Sequence, residues 1–216
     1  MMKKIRIALA DDQHLFRKGL ISLLNEEDAF KIVIEAENGR VLIDRLKSVN
    51  ADVLLLDLEM PVMSGTEALD IIKIRFPELK VLVLTMHDDE AFITELIGKG
   101  VNGFLIKDNS IDTLVDAIFA VHEKDYYFTP RVTAVMSNAT NKSTVKLRTN
   151  STIDFTKREI EILSLICHEY STKEIAEKLI MGERTVEWHR SNIIQKTNSK
   201  NTAGIVFYAV KNGLVN

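Results

Sequence analysis

The sequence contains a single cysteine, Cys167, among its 216 residues. One thiol excludes an intramolecular disulfide and a thiolate metal cluster, and this sparse use of cysteine fits a reducing cytoplasm. The chain also lacks an apolar run of about 18 residues that could span a bilayer. Its N-terminal stretch turns acidic at Asp11 instead of forming the apolar core of a signal peptide. We therefore expect a cytoplasmic protein without membrane association.

A strong excess of positive charge is missing as well, because the formal net charge is -3. Residues 1–128 hold 15 basic against 23 acidic side chains, residues 129–152 hold four basic and no acidic ones, and residues 153–216 hold nine against eight. A protein that binds nucleic acid usually shows a clear basic excess. Any prediction of DNA binding must therefore rest on the sequence pattern.

Five short aliphatic runs alternate with helical patterns in the first 124 residues. The runs are about six residues long, the usual length of a strand, and they lie at 4–10, 31–36, 52–57, 80–85 and 102–107. Nearly continuous aliphatic strands that alternate with helices predict a parallel sheet covered on both faces. Residues 1–124 should therefore form a flavodoxin-like, doubly wound five-stranded α/β domain.

This pattern ends near residue 124, and residues 125–152 are predicted to be a linker with a short helix. Thr129 followed by Pro130 is a favourable helix start, which predicts a short helix from about Pro130 to Ser137. The remainder of this segment is rich in Asn, Thr, Ser and Lys and has no periodic apolar face.

Residues 153–216 show four short helical patterns, which predict an all-α unit. Two of these patterns begin with the spacing of a capping box, at Thr156 and at Ser171, each with a glutamate three residues later. Gly182 and Thr202 are the predicted caps of the other two helices.

Five polar side chains stand where strands of the first domain end: Asp11, Asp12, Asp57, Thr85 and Lys107. The carboxyl ends of parallel strands meet at one edge of the sheet, where ligands bind. Three carboxylates at one place raise one another's pKa values unless a cation joins them, and ligands that are all oxygen suit Mg²⁺. Each residue alone is ordinary for a turn or cap, so the prediction rests on the set of five.

With a metal ion nearby, Asp57 can act as a nucleophile toward an activated phosphoryl group. Lys107 would pair with a phosphoryl oxygen as a point charge, and Thr85 could donate a hydroxyl hydrogen bond.

Four segments resemble the motifs of the bacterial response-regulator receiver domain: ADD (10–12), LLLDLEMPVMSG (54–65), VLVLTMHDD (81–89) and GFLIKD (103–108). The resemblance implies that Asp57 is the phosphoacceptor and Asp12 a direct Mg²⁺ ligand. It further implies that Asp11 acts on the ion through water and that the backbone carbonyl of Glu59 is another ligand.

The same resemblance implies that Thr85 and Phe104 form a switch pair. Thr85 would move to the phosphoryl group, and Phe104 would turn inward into the vacated space. A permanent place in the core is the alternative interpretation of Phe104. The residue after Thr85 is Met86, where many receivers have a small side chain, and its bulk would narrow access to the acyl phosphate.

The second half resembles the LuxR-type helix-turn-helix in four segments: FTKREIEIL (155–163), STKEIAEKL (171–179), RTVEWHRSNI (184–193) and NTAGIVFYAVKNGL (201–214). Together with the receiver motifs, these segments identify a two-component response regulator of the NarL/FixJ type. The predicted domains are thus a receiver at 1–124, a linker at 125–152 and a DNA-binding domain at 153–216.

The helix containing RTVEWHRSNI has two distinct faces at 100° per residue. Val186 and Ile193 lie on one side and should face the core. Trp188 lies on the opposite side, where it could touch a thymine methyl or a sugar in the major groove, or cover a dimer contact. The residues predicted to contact DNA are Lys173, Arg184, Thr185, Glu187, Trp188, Ser191, Lys196 and Lys200. A buried core aromatic is the alternative for Trp188, and a local salt bridge is the alternative for Glu187.

These expectations combine into a transcription factor switched by phosphorylation. A histidine kinase would donate phosphate to Asp57, and the receiver would then release the helix-turn-helix or promote its dimerisation on double-stranded DNA. Apolar residues of the last helix, such as Ile205 and Tyr208, could supply the contact of a homodimer. Any self-dephosphorylation would be slow, so the protein is not expected to be an enzyme.

Two other classes of function remain open from the sequence. One is a Mg²⁺-dependent phosphohydrolase that uses Asp57 as its nucleophile, for which Glu59 is the only nearby acid–base candidate. The other is a receiver that acts through protein contacts, with a helical domain that has lost DNA binding.

Overall fold

The computed structural model describes residues 4–86, 90–129, 153 and 155–214. The chain divides into two compact units, Met1–Asp88 with Val101–His122 and Asp89–Gly100 with Glu123–Asn216. The short helix predicted at 130–137 lies outside the described residues. No helix among the described residues combines the length and the apolar character that crossing a bilayer requires.

A five-stranded parallel sheet forms the centre of the first unit. Its strands are β1 (Ile5–Ala10), β2 (Phe30–Ala36), β3 (Val53–Asp57), β4 (Lys80–Thr85) and β5 (Gly103–Ile106). The spatial order is β2-β1-β3-β4-β5, which is the flavodoxin-like order with its switch point between β1 and β3. All five predicted strands are confirmed, with boundaries within one residue.

The central strand explains its unbroken aliphatic run. Val53, Leu54, Leu55 and Leu56 are fully buried, because β3 has a strand on each side and both of its faces are covered. Burying each such side chain contributes roughly 1.5–3 kcal/mol. This packing fixes the position at which β3 ends, and Asp57 is its last residue.

The strand register brings the predicted site residues to one edge of the sheet. Asp57 lies opposite Leu84, the residue before Thr85. Thr85 in turn lies opposite Ile106, the residue before Lys107. The strands are parallel, so all these positions fall at the same carboxyl edge.

The described helices that follow the strands also match the sequence pattern. They are α1 (His14–Asn25), α2 (Gly39–Leu46), α3 (Gly65–Arg75), α4 (Glu90–Gly98) and α5 (Ile111–Lys124). Helix α3 begins with a capping box, in which the Ser64 hydroxyl accepts a hydrogen bond from the Glu67 backbone and the Glu67 carboxylate accepts one from Ser64. This box ends the loop after β3 at a defined residue.

The loop between β3 and α3 contains an unusual turn at Val62. Its φ is 69°, and the Met63 backbone N–H donates to the Pro61 carbonyl across it at 2.7 Å. A β-branched residue rarely adopts this left-handed conformation, which costs roughly 1–2 kcal/mol for an L residue. Val62 is 83% exposed, so little packing compensates for the cost.

Val62→Gly should therefore raise the free energy of unfolding by about 1 kcal/mol, because glycine adopts positive φ without strain. Urea unfolding measures the change. Val62→Ala removes the same exposed methyl groups but keeps a Cβ, so it should gain less. Equal or lower stability of the glycine variant would show that the turn is unstrained.

The second unit contains the four helices predicted after residue 152. They are α6 (Lys157–Cys167), α7 (Thr172–Lys178), α8 (Glu183–Thr197) and α9 (Thr202–Lys211). The capping boxes at Thr156 and Ser171 are confirmed, and Gly182 is the N-cap of α8. Their buried core contains apolar residues of all four helices: Ile162, Leu163, Ile166, Ile175, Val186, Ile193, Ile205 and Ala209.

The prediction that Thr202 caps the last helix is wrong. The cap of α9 is Asn201, whose side chain accepts a hydrogen bond from the Gly204 backbone at 3.0 Å. Thr202 is the first residue of the helix, and its hydroxyl binds other side chains in the interior. It accepts a hydrogen bond from Arg190 at 2.6 Å.

Candidate functional site

The three acidic residues at the carboxyl edge of the sheet come together as a cluster. One carboxylate oxygen from each of Asp11, Asp12 and Asp57 lies within 4.8 Å of the other two. Asp11 and Asp57 are buried, whereas Asp12 is exposed, so the cluster is open to solvent on one side. Asp11 is fixed by its own loop, because its Oδ1 accepts a hydrogen bond from the Gln13 backbone at 2.8 Å.

Lys107 places a buried cation against this cluster. Its Nζ lies 2.8 Å from Asp11 Oδ2 and 2.9 Å from Asp57 Oδ2, and the ring centroid of Phe16 is 5.1 Å away. Burial alone lowers the pKa of Lys107, but the pairing with Asp11 and Asp57 outweighs it, and the pKa is raised overall. Lys107 therefore stays protonated and balances part of the negative charge.

Asp57 is a buried carboxylate whose charged form is disfavoured by burial. It is 4% exposed, and burial raises its pKa above the ordinary value. The negative charge of Asp11 raises this pKa further, and the pairing with Lys107 lowers it without cancelling the effect of burial. Its Oδ1 receives only a long hydrogen bond, 3.3 Å from the Glu59 backbone N–H. An ionised Asp57 therefore still lacks compensating positive charge.

A divalent cation fits this environment. The three carboxylates offer only oxygen ligands, which is the set that Mg²⁺ prefers, and one lysine cannot balance three negative charges. Glu59 is exposed and its backbone lies next to Asp57. The part of its carbonyl in binding an ion stays a prediction.

Thr85 and Phe104 are both buried, each at 4% exposure, and Thr85 ends β4 at the same edge of the sheet as the cluster. The Thr85 carbonyl accepts a hydrogen bond from the Lys107 backbone at 2.9 Å, which holds the ends of β4 and β5 together. Phe104 lies opposite Val83 in the sheet. Its burial is compatible both with an inward-turned switch residue and with a permanent core aromatic.

A second candidate surface lies on α8 in the helical unit. Val186 and Ile193 are fully buried and Arg190 is nearly so, which confirms the predicted core face. All the residues predicted to contact DNA are exposed: Lys173, Arg184, Thr185, Glu187, Trp188, Ser191, Lys196 and Lys200. Trp188 is 60% exposed, so the alternative of a buried core aromatic is wrong.

Two of these exposed residues already have ionic partners within the unit. Glu187 Oε1 accepts hydrogen bonds from the Thr172 hydroxyl at 2.5 Å and from Arg190 at 3.3 Å, so the local salt bridge predicted as an alternative is present. Lys196 Nζ lies 2.6 Å from the carboxylate of Glu159. Contact of either residue with DNA would compete with these bonds.

Comparison with protein families identifies both halves of the chain. Residues 7–119 match the response regulator receiver domain, and residues 154–209 match the bacterial regulatory proteins of the luxR family. The chain belongs to the response regulator family. Its order of domains is that of the NarL/FixJ type predicted from the sequence.

The response regulator has relatives that match nearly its whole length. The transcriptional regulatory protein LnrK of Bacillus subtilis is 36% identical, over 97% of this chain and 98% of LnrK. The oxygen regulatory protein NreC of Staphylococcus carnosus is 37% identical, over 98% and 99%. RcsB from Salmonella enterica serovar Typhimurium, solved bound to promoter P1flhDC in the presence of phosphomimetic BeF3-, is 25% identical with a TM-score of 0.57, over 97% and 99%.

Sequence reasoning missed Arg17 of this response regulator. Arg17 is buried, and its Nη1 donates to the Asp11 carbonyl at 2.5 Å while Nε donates to Glu35 at 2.9 Å. Lys18 and Arg17 lower the pKa of Glu35. These bonds fix the loop that carries the acidic pair. The sequence did indicate that Arg17 is buried, because it shares the helical spacing of the buried Leu20 and Leu24 on α1.

Gly65 is a second residue that the sequence reasoning missed. Its backbone N–H donates to the Leu58 carbonyl at 2.9 Å, and a Cβ at this position would lie 1.9 Å from the Asp57 carbonyl oxygen. Only glycine permits this close approach of α3 to the end of β3. Its place after the capping serine was the signal in the sequence.

Gly65→Ala should lower the free energy of unfolding by about 2–3 kcal/mol, because the clash is with backbone atoms that must shift. Urea unfolding measures the loss, and Gly19→Ala is the matched control. Gly19 is in α1 with open space around its Cβ position, so alanine there should raise stability by about 0.5–1 kcal/mol. A Gly65→Ala protein as stable as wild type would contradict the geometry.

Proposed function

We propose that Asp57 accepts a phosphoryl group from a histidine kinase in a reaction that needs Mg²⁺. The observation that carries the proposal is a buried carboxylate at the end of the central strand, 2.9 Å from a buried lysine and clustered with two other carboxylates. Asp11, Asp12, Asp57 and the backbone carbonyl of Glu59 are the proposed residues that hold the ion.

The chemical step would be a displacement at phosphorus. An oxygen of Asp57 forms a bond to the phosphorus atom while the bond from phosphorus to the donor imidazole nitrogen breaks, and the imidazole keeps the electron pair. Mg²⁺, when bound, supplies positive charge that offsets the attacking carboxylate and the incoming phosphoryl oxygens. Lys107 lies where its ammonium can pair with another of these oxygens.

Thr85 and Phe104 are the proposed switch residues. The Thr85 hydroxyl would donate a hydrogen bond to the phosphoryl group, and the packing around Phe104 would adjust to it. Phosphorylation would then bias an equilibrium between two states of the receiver.

The exposed face of α8 is the proposed DNA-binding surface. The support is the match to the luxR family together with the exposed Arg184, Thr185, Trp188 and Ser191 on one side of the helix. Lys173, Arg184, Lys196 and Lys200 are the proposed phosphate contacts. Glu187 and Lys196 are weaker candidates because each is engaged within the unit.

A homodimer on double-stranded DNA is the proposed active assembly, acting in the cytoplasm. RcsB has been solved as two dimers bound to two parallel DNAs, and that chain is 25% identical with a TM-score of 0.57. Ile205 is buried, whereas Tyr208 on the same helix is half-buried and could contribute to the contact between two copies.

Slow self-dephosphorylation is the only enzymatic activity we propose. A phosphohydrolase would need an acid–base residue beside Asp57. The described contact of Glu59 with Asp57 is made by the backbone N–H, so this contact gives no support to Glu59 as that residue.

Two measurements test this proposal. Incubation with acetyl phosphate and Mg²⁺ should add one phosphoryl group, detected by intact-protein mass spectrometry, and incubation without Mg²⁺ should add none. Selection from a random pool of DNA fragments, with and without phosphorylation, should enrich a defined sequence. If phosphate is incorporated but no sequence is enriched in either condition, the protein acts through protein contacts instead.

A further inference from the structure

Arg190 is the most heavily bonded side chain in the described interior of the helical unit. It lies on the buried face of the recognition helix α8 and is 7% exposed. Its guanidinium donates to Asp125 at 2.5 Å, to Thr202 at 2.6 Å and to Glu187 at 3.3 Å, and it also bonds to the Thr172 hydroxyl. Because Thr172 begins α7 and Thr202 begins α9, one side chain joins the recognition helix to the starts of two other helices.

One of the two ionic partners of Arg190, Asp125, comes from outside the four helices. Asp125 is the first residue after α5, 65 residues away along the chain. Its φ is 73°, a left-handed conformation that aspartate adopts more readily than most residues. Its carboxylate also accepts a hydrogen bond from the Thr202 hydroxyl at 3.2 Å.

The residues after Asp125 are built into the same core. Tyr126 is buried among the apolar residues of the helices, and its hydroxyl donates to the Ile166 carbonyl at 2.7 Å. Phe128 packs against this core, and its ring centroid is 5.4 Å from that of Tyr126. Residues 125–128, which we call the strap, therefore belong structurally to the helical unit, although the predicted domain boundaries assigned them to the linker.

Arg190 connects the strap to the face of α8 that we propose contacts DNA. Asp125 holds the guanidinium from the strap side. The same guanidinium, together with Thr172, holds the carboxylate of Glu187, the neighbour of the exposed Trp188. A planar guanidinium with several donors suits such a multi-sided bridge, which a lysine could not reproduce.

We propose that Arg190, held by Asp125 of the strap, is a positioning residue for DNA recognition by α8. This inference rests on the proposed DNA-binding function of α8 and names a control point of that function. The strap continues directly from α5, so a change in the residues after α5 reaches Glu187 and Trp188 through one guanidinium.

The test compares Asp125→Ala with Lys124→Met in the full chain. Lys124 precedes the strap and pairs with Glu169 at 3.1 Å on the surface, so its replacement changes a neighbouring ion pair without touching Arg190. Trp188 is the only tryptophan, and its emission and its quenching by iodide therefore report the recognition surface even without DNA. Asp125→Ala should change the emission of Trp188 and its quenching by iodide in protein that is still folded, whereas Lys124→Met should leave both signals unchanged.

DNA binding provides the second readout, with a fragment selected by the wild-type protein and a random-sequence fragment of equal length. Asp125→Ala should weaken binding of the selected fragment at least tenfold more than binding of the random one. Lys124→Met should change neither. Uptake of phosphate at Asp57 should be normal in both variants.

A double-mutant cycle separates positioning from a general loss of stability. If Arg190 couples the strap to Glu187, the effects of Asp125→Ala and Glu187→Gln on Trp188 quenching should be strongly non-additive. Additive effects, or an unchanged Trp188 signal in folded Asp125→Ala, would overturn the proposal. Failure of the wild-type protein to bind any DNA would instead refute the proposed function and leave the tryptophan readout to decide the role of Arg190.

Discussion

Asp57→Asn should reduce the uptake of phosphate from acetyl phosphate to background. Asparagine has almost the same shape, so the strand end is preserved, but an amide oxygen carries no charge and is a poor nucleophile. The substitution also removes one of the three carboxylates that cluster within 4.8 Å, which weakens any bound cation. Intact-protein mass spectrometry in the presence of Mg²⁺ measures the effect.

The control for this variant is Asp52→Asn. Asp52 lies immediately before β3, at the end of the strand opposite Asp57. Asp52 accepts a hydrogen bond from Arg6 at 2.6 Å and lies at the far edge of the sheet from the acidic cluster. Its replacement should lower stability and leave phosphate uptake intact. Stoichiometric uptake by Asp57→Asn would refute the assignment of Asp57 as phosphoacceptor.

Asp57→Asn should also change stability, and in metal-free buffer it should stabilise the folded protein although it abolishes phosphate uptake. Burial raises the pKa of Asp57 in the folded protein. An acid with a raised pKa stabilises the folded state at pH values below its unfolded pKa, and this contribution is lost as the pH rises through the folded pKa. In metal-free buffer, Asp57→Asn should therefore unfold at a higher temperature than wild type at neutral pH, and the difference should shrink as the solution becomes acidic.

Addition of Mg²⁺ should reverse this order. An ion that binds only the folded state stabilises it in proportion to the logarithm of its concentration above Kd. The wild-type protein should therefore be stabilised by Mg²⁺ more than Asp57→Asn is.

Trp188→Ala should weaken binding of the selected DNA by about tenfold to a hundredfold, the range expected when a central aromatic contact is removed. An indole 60% exposed on a helix is a large apolar surface, and removing it from water in a complex is favourable. Thermal unfolding should change little, because the side chain contributes little to the core. Fluorescence anisotropy of labelled DNA measures the affinity.

Ile160→Ala is a suitable control, because Ile160 is also an exposed apolar residue of the helical unit but lies on α6. It should bind DNA like the wild type. Arg184→Ala should instead weaken binding to all sequences and reduce the slope of log affinity against log salt by about 1 if Arg184 contacts one phosphate. Wild-type affinity in Trp188→Ala would show that this surface is not the DNA contact.

The secondary structure and the position of the acidic cluster were predictable from the sequence, because they follow from the spacing of apolar residues and from the order of the strands. The aliphatic runs indicated five strands, and parallel strands bring their carboxyl ends together, so residue order alone was enough to place Asp11, Asp57 and Lys107 at one edge. Helical angle likewise separated Val186 and Ile193 from Trp188. These inferences need only the residue spacing within one helix or strand and the rule that parallel strands end at a common edge of the sheet.

The contacts that were missed depend on how backbone and side chains pack, and the apolar periodicity of one element does not encode them. Arg190 shares the helical angle of the buried Val186 and Ile193, but its partner Asp125 fell in a segment that was predicted to be a linker. Gly65 is required by a close approach of backbone atoms, and no periodic pattern encodes such a distance. The assignment of Thr202 as a cap failed because the neighbouring Asn201 takes that role and Thr202 binds Arg190.

Control of DNA binding by Asp57 is measured by the Kd for the selected DNA with and without acetyl phosphate and Mg²⁺, for wild type and Asp57→Asn in parallel. The expected result is tighter binding by the wild-type protein after phosphorylation and no change for Asp57→Asn. An unchanged Kd in wild-type protein that carries one phosphoryl group, or the same change in Asp57→Asn, would contradict it.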